Sequence, residues 1–125
     1  MTKPQDPTEI IYPQLVTNRY CFTLDLNDNV ILIQEYEAYH LNVWAEILEG
    51  IRSVGILDMQ IFRWVTRMVM VVEVPEDFDL EAAFEKLATL PRQAEWENLM
   101  WKFQKELIRG AKWVKMDNIF NLNKR

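Results

Sequence analysis

Apolar residues recur along this chain with two different periods, and the changes of period divide it into elements. From Arg19 the run RYCFTLDL alternates Tyr20, Phe22 and Leu24 against Cys21, Thr23 and Asp25, which predicts a strand with one buried face. Asn27, Asp28 and Asn29 then supply a turn and helix caps. Beyond them Val43, Ile47, Ile51 and Val54 fall at steps of three and four, the apolar stripe of a helix laid on a core. One helix is predicted from near Val30 to about Val54, closed by Gly55, with Gly50 weakening it and Leu41 the point at which so long a helix would break. Strand period returns in ILDMQIF at 56–62 and TRMVMVVEV at 66–74, joined through Arg63, Trp64 and Val65 as an antiparallel hairpin.

Pro75, Glu76 and Asp77 end the hairpin, and Phe78 to Ala88 carries Leu80, Phe84 and Leu87 at helical spacing. Pro91 opens a further helix, in which Trp96, Met100 and Phe103 repeat at four and three, and which frays before Gly110. The segment VKMDNIFNL, 114–122, alternates again and is expected to close the sheet. The order β, α, β, β, α with an extra helix, then β, is the split βαβ plan of a ferredoxin-like α+β domain. Residues 19–125 form that single domain. Residues 1–18, with three of the five prolines, are expected to be a surface arm. Four short strands with helices on one face leave the other face apolar, and a second copy laid sheet on sheet is its simplest cover, so a homodimer is expected.

At 125 residues the chain can bury one sizeable core. A formal charge of -5 with scattered lysines and arginines argues against nucleic acid or an anionic membrane as partner. No uncharged run is long enough to cross a bilayer, and Met1 to Gln14 lacks the apolar core of a secretory signal. The lone Cys21 cannot form an internal disulfide, and with it a soluble chain in a reducing cytoplasm is expected. One histidine and one cysteine cannot assemble a nitrogen and sulfur metal site within a subunit, so metal chemistry would need carboxylates alone.

That single histidine, His40, is the natural centre of any chemistry. In a helix, Tyr36, His40 and Trp44 are four apart and share a face. By position alone His40 reads as a satisfied histidine at the border of stripe and solvent, Trp96 as core, and Tyr36 as an ordinary interface residue. Trp44, Trp64, Trp101 and Trp113 read as packing, and Glu35, Glu37, Glu46, Glu49, Lys102 and Lys105 as solvated helix faces.

The order of these features resembles the L-rhamnose mutarotase family. The matching elements are the strand opening with Arg19, the run Tyr36 xxx His40 xxx Trp44 x Glu46, Gly55, the acidic strand end VVEV, Trp96 followed by Met100, and WVKMDNIFNL. The resemblance covers residues 19–123 and implies a dimeric α/β barrel that interconverts the α and β anomers of a 6-deoxyhexose without a cofactor. It implies His40 as proton donor, with Tyr36 and Trp96 contacting the sugar. Met59 stands where the rhamnose enzymes carry tyrosine, Glu97 where they carry a second tryptophan, and Asn42 and Ala45 where they carry prolines.

Mutarotation opens the pyranose by protonating the ring oxygen while the anomeric hydroxyl loses its proton, and histidine titrates close enough to neutrality to serve. Trp96 would give a flat wall for C–H faces, and Glu97 or Asp58 would accept from hydroxyls. With one wall rebuilt by Glu97 and Met59, L-fucose is expected in preference to L-rhamnose. Two other classes use the same fold: small haem or oxygenase enzymes, in which a helix histidine ligates iron, and non-catalytic dimeric binding modules. A visible absorption spectrum separates the first, and ligand binding without anomer exchange the second.

Overall fold

The computed structural model describes residues 16–123. Its centre is β1 (Thr17–Leu26), flanked along its length by β3 (Arg67–Pro75), which pairs in turn with β2 (Asp58–Trp64). On the other side of β1 lie two short strands, β4 (Gln104–Lys105) opposite its end and β5 (Val114–Lys115) opposite Phe22 and Thr23. The sheet order β2-β3-β1-β4, all antiparallel, is the one the split βαβ plan requires.

The period-two pattern explains which sheet face is buried. Phe22, Leu24 and Leu26 of β1 and Met68, Met70, Val72 and Val74 of β3 turn inward, while Cys21, Val69 and Val71 between them remain half-buried on the opposite face. The helices close over the inward face. α1 (Val30–Leu41) starts at Asn29, whose side chain accepts from the Leu32 amide, and α3 (Leu80–Leu87) starts at Asp79, which accepts from Ala82. Tyr36, Ile47 and Trp96 join Leu24 and Met68 in one cluster, and Leu80 joins Phe22 and Val72 in another.

The helix expected over 30–54 is two. α1 ends at Leu41, and α2 (Ala45–Ser53) begins after Trp44, which adopts extended backbone at φ -57 and ψ 139. The break falls between Asn42 and Ala45, although neither is proline. Gly50 is buried in α2 with Leu87 and Leu90 against it. The hairpin is tighter than expected: Arg63 and Trp64 continue β2, and only Val65 and Thr66 turn, with Val65 forced to φ 56. Trp64 is 79% exposed, so its packing role is corrected; it sits at the tip of an edge strand with no core beneath it. Trp44, Trp101 and Trp113 are half-buried.

The largest differences follow Trp96. Pro91 lies in a turn rather than a helix; α4 (Gln93–Trp101) starts after Arg92, which takes a left-handed conformation at φ 64. The helix does not approach Gly110. It stops at Trp101, because Phe103 enters the core at 0% exposure and pulls Gln104 into pairing with Leu26. Of the closing strand expected over 114–122, only Val114 and Lys115 pair with β1; Ile119, Phe120 and Leu122 are exposed. The proposed arm lies mostly outside the described residues, and β1 begins within its last two positions, at Thr17.

Candidate active site

A cavity of about 930 Å³ lies between the inner sheet face and helices α1 and α4, within the size range of small-molecule sites. Phe22, Met59 and Met70 line it from the sheet, Tyr36 and His40 from α1, and Trp96 and Glu97 from α4. Every candidate site residue read from the sequence therefore borders one space, Asp58 included. Residues far apart in sequence meet here because α1 and α4 lie over the same half of the sheet.

Tyr36 and His40, one turn apart, stack with ring centroids 4.4 Å apart. His40 Nδ1 lies 2.9 Å from the carbonyl oxygen of Tyr36. A carbonyl can only accept, so Nδ1 carries the proton and Nε2 keeps its lone pair. Burial lowers the pKa of His40, and this bond to Tyr36 only partly opposes the fall. The resting imidazole is accordingly neutral at pH 7, a proton acceptor through Nε2.

The phenol of Tyr36 is buried and pushed up to about 12 by desolvation, against a hydrogen bond from Gln104 and with the charge of Glu97 raising it further. Gln104 Nε2 donates to Tyr36 Oη at 3.5 Å, which leaves the phenolic proton free to be given elsewhere. Trp96 is enclosed. Tyr39, His40 and Trp44 meet it edge-on, the last at 5.1 Å, and it is only 6% exposed. Arg92 caps the far side of Trp44 at 4.0 Å. Trp96 is thus fixed by packing and shows the cavity a small part of its surface.

Glu97 is half-buried, with its carboxylate 3.7 Å from Lys112 Nζ across the rim. Met59 is half-buried, one position along β2 from the exposed Asp58. Arg19 and Glu73, at two of the family-matched positions, are cross-strand neighbours on the outer face, 3.9 Å apart and away from this site.

Among the lining residues that sequence reasoning missed are Gln93, Gln104 and Lys112. Gln93 had a signal, since it precedes Trp96 and Met100 at steps of three and four and so puts an amide on an apolar stripe. Gln104 had none, because its role depends on the helix ending early.

The fold and site define a small α+β protein with one neutral histidine and a phenol facing a cavity of sugar-accommodating size. The sequence profile of the L-rhamnose mutarotase family matches residues 19–122, and the chain belongs to that family. Membership makes it an isomerase of sugar anomers, a mutarotase. It is 41% identical to an L-fucose mutarotase of Xanthomonas campestris pv. campestris over 110 residues, covering 84% of this chain and 88% of that one. A UPF0734 protein of Dictyostelium discoideum is 40% identical over 111 residues, 83% of this chain and 89% of its own. Among solved structures, an L-rhamnose mutarotase from Formosa agariphila superposes with a TM-score of 0.65 at 18% identity, over 84% of this chain and 98% of that one. Tetracenomycin F2 cyclase from Streptomyces glaucescens superposes with a TM-score of 0.59 at 12% identity, over 86% and 99%. These two likenesses carry the dimeric α/β barrel fold and nothing of the chemistry. No helix among the described residues is long and apolar enough to cross a membrane.

Proposed function

We propose that this mutarotase acts on L-fucose in preference to L-rhamnose, with His40 as its proton-transfer group. The observation that carries the role of His40 is the bond from its Nδ1 to the Tyr36 carbonyl, which holds the ring and leaves Nε2 basic toward the cavity it lines. Nε2 accepts the proton of the anomeric hydroxyl. As the bond from C1 to the ring oxygen breaks, the imidazolium returns a proton to that oxygen, which is attached to the same carbon. Rotation of the aldehyde and reversal of these transfers close the other anomer. His40 is thus an acceptor at rest and a donor within the cycle. Tyr36, kept protonated by burial, donates a hydrogen bond to a sugar oxygen, while Trp96 and Met59 supply apolar wall and Glu97 accepts from a hydroxyl.

The sugar preference is supported by Glu97 and Met59, which stand where the rhamnose enzymes carry aromatic residues, and by the name of the Xanthomonas relative. Saturation-transfer NMR with free L-fucose and L-rhamnose tests it: exchange should be faster with L-fucose, and equal or reversed rates would refute the preference.

The working unit is a homodimer built on the outer sheet face, where Phe62 is 57% exposed beside half-buried Val69 and Val71. The catalytic domain takes in all of β1, from Thr17, and exchange does not need residues 1–15. The free, half-buried Cys21 suits a reducing compartment, the cytoplasm.

A further inference from the structure

Gln93 is the first residue of α4, one turn before Trp96 and on the same buried face of the helix. It lines the cavity that holds His40 and Glu97, is only 7% exposed, and its Oε1 has no hydrogen-bond partner among the described residues. Buried polar oxygens are nearly always paired, and one left unpaired opposes folding, so an open acceptor in the wall of a cavity calls for a partner that enters the cavity. The side-chain amide turns on a soft terminal torsion and can meet such a partner with little strain. The cavity is otherwise rich in aromatic and thioether surface, and a ligand studded with hydroxyls is the chemistry that would complete this amide.

We infer that Gln93 is a specificity-determining contact of the sugar site, its amide oxygen accepting a hydrogen bond from one ring hydroxyl of the bound pyranose. The inference rests on the mutarotase reading above and deepens it. Gln93 takes no part in proton transfer: it orients the ring from the α4 side, while His40 and Tyr36 act from α1. A site that leaves a buried acceptor open for one hydroxyl discriminates against every sugar that lacks it or points it elsewhere.

The test pairs Gln93→Met, which keeps side-chain length without the acceptor, with the 2-deoxy, 3-deoxy and 4-deoxy forms of L-fucose. Anomer exchange is measured as KM and kcat, and thermal melting is measured for the free proteins. The variant should raise KM for L-fucose by roughly 10-fold or more, with a smaller change in kcat. One deoxy sugar should show the same loss with the parent and no further loss with the variant, which couples that hydroxyl to Gln93. Because an unpaired acceptor is removed, the free variant should melt no earlier than the parent. A variant that melts earlier or fails to fold already had a partner for this amide in the free protein, and overturns the assignment. So does a folded variant that keeps the parental KM and the parental order of the deoxy sugars. A parent that exchanges no 6-deoxyhexose would overturn the mutarotase reading together with this one, whereas an active parent with an indifferent variant overturns this one alone.

Discussion

His40 donates a hydrogen bond from Nδ1–H to the carbonyl oxygen of Tyr36, one helical turn earlier, at 2.9 Å. The acceptor is a carbonyl inside α1, and the bond lies in the last turn of that helix, which ends at Leu41. Exchange should therefore depend on neutral imidazole. Its acid limb should lie below the ordinary histidine value of 6.5, since burial lowers the pKa, and the rate should be level through neutrality. In His40→Asn, exchange should fall by about 10² or more while sugar binding persists. Saturation-transfer NMR against pH decides, and undiminished exchange in the folded variant would falsify the assignment.

The same two residues set the pH dependence of stability. Between the lowered native pKa of His40 and 6.5, the unfolded chain binds a proton that the native chain does not, so stability falls as pH drops through this window. Tyr36 acts at the other end. Its native pKa of about 12 lies above the ordinary 10.0, so its contribution is complete below pH 10 and is lost as pH rises toward 12. Urea midpoints measured against pH should flatten below 6.5 in His40→Asn and above 10 in Tyr36→Phe. Midpoints that track the parent in both variants would assign these slopes to other groups.

Much of this architecture was legible in local pattern, and the losses have local causes. The alternation in β1 and β3 was strong because one face of each is fully buried, and Asn29 and Asp79 announced their helices by capping them. Candidate site residues on α1 and α4 were readable, since their helices exist where the spacing put them. What pattern could not give was the point at which α4 yields to the sheet. Phe103 fits the helical repeat with Trp96 and Met100, but the core receives it beyond the helix end, and only the three-dimensional position of β1 determines that. Gln104, and with it the support of the Tyr36 hydroxyl, was hidden for the same reason. The alternation in VKMDNIFNL likewise predicts a strand, of which β1 pairs only with Val114 and Lys115 at its start.

Gly55 is a position at which glycine is required. It holds φ at +101°, and a Cβ there would lie 2.7 Å from Phe78 Cε1. Gly55→Ala should destabilise by about 2 kcal/mol, combining the left-handed penalty with displacement of the Phe78 ring. Because the turn feeds β2, and β2 carries Met59, sugar affinity should weaken as well. Chemical denaturation checks the first effect; a variant as stable as the parent would mean that the turn relaxes without cost.

The outer sheet face should report the dimer. Phe62 faces the same side as Val69, its cross-strand partner in β3. Placing a carboxylate there with Phe62→Glu would bury an unpaired charge in the interface and should shift sedimentation from twice the 15.0 kDa chain mass toward one. An unchanged sedimentation coefficient would move the interface elsewhere, and a parent that sediments as a monomer would remove it.

Glu97 follows Trp96 on α4 and lines the cavity, with its carboxylate 3.7 Å from Lys112. The ion pair is partly exposed, with side-chain accessibilities of 40% and 31%, so screening leaves it worth at most about 1 kcal/mol of stability. Glu97→Gln should thus leave melting nearly unchanged, and the interesting effect is on the sugar. If the carboxylate accepts from a hydroxyl of L-fucose, the variant should lose roughly 1 to 3 kcal/mol of transition-state stabilisation for that sugar and less for L-rhamnose. Lys112→Met separates the two roles of the carboxylate. Removing the lysine frees Glu97 from its rim partner while keeping the acceptor, so L-fucose exchange should survive in Lys112→Met and fall in Glu97→Gln. Equal rates for both variants on both sugars would assign Glu97 to the rim ion pair alone, and the preference for L-fucose would then have to come from Met59 and the α4 wall.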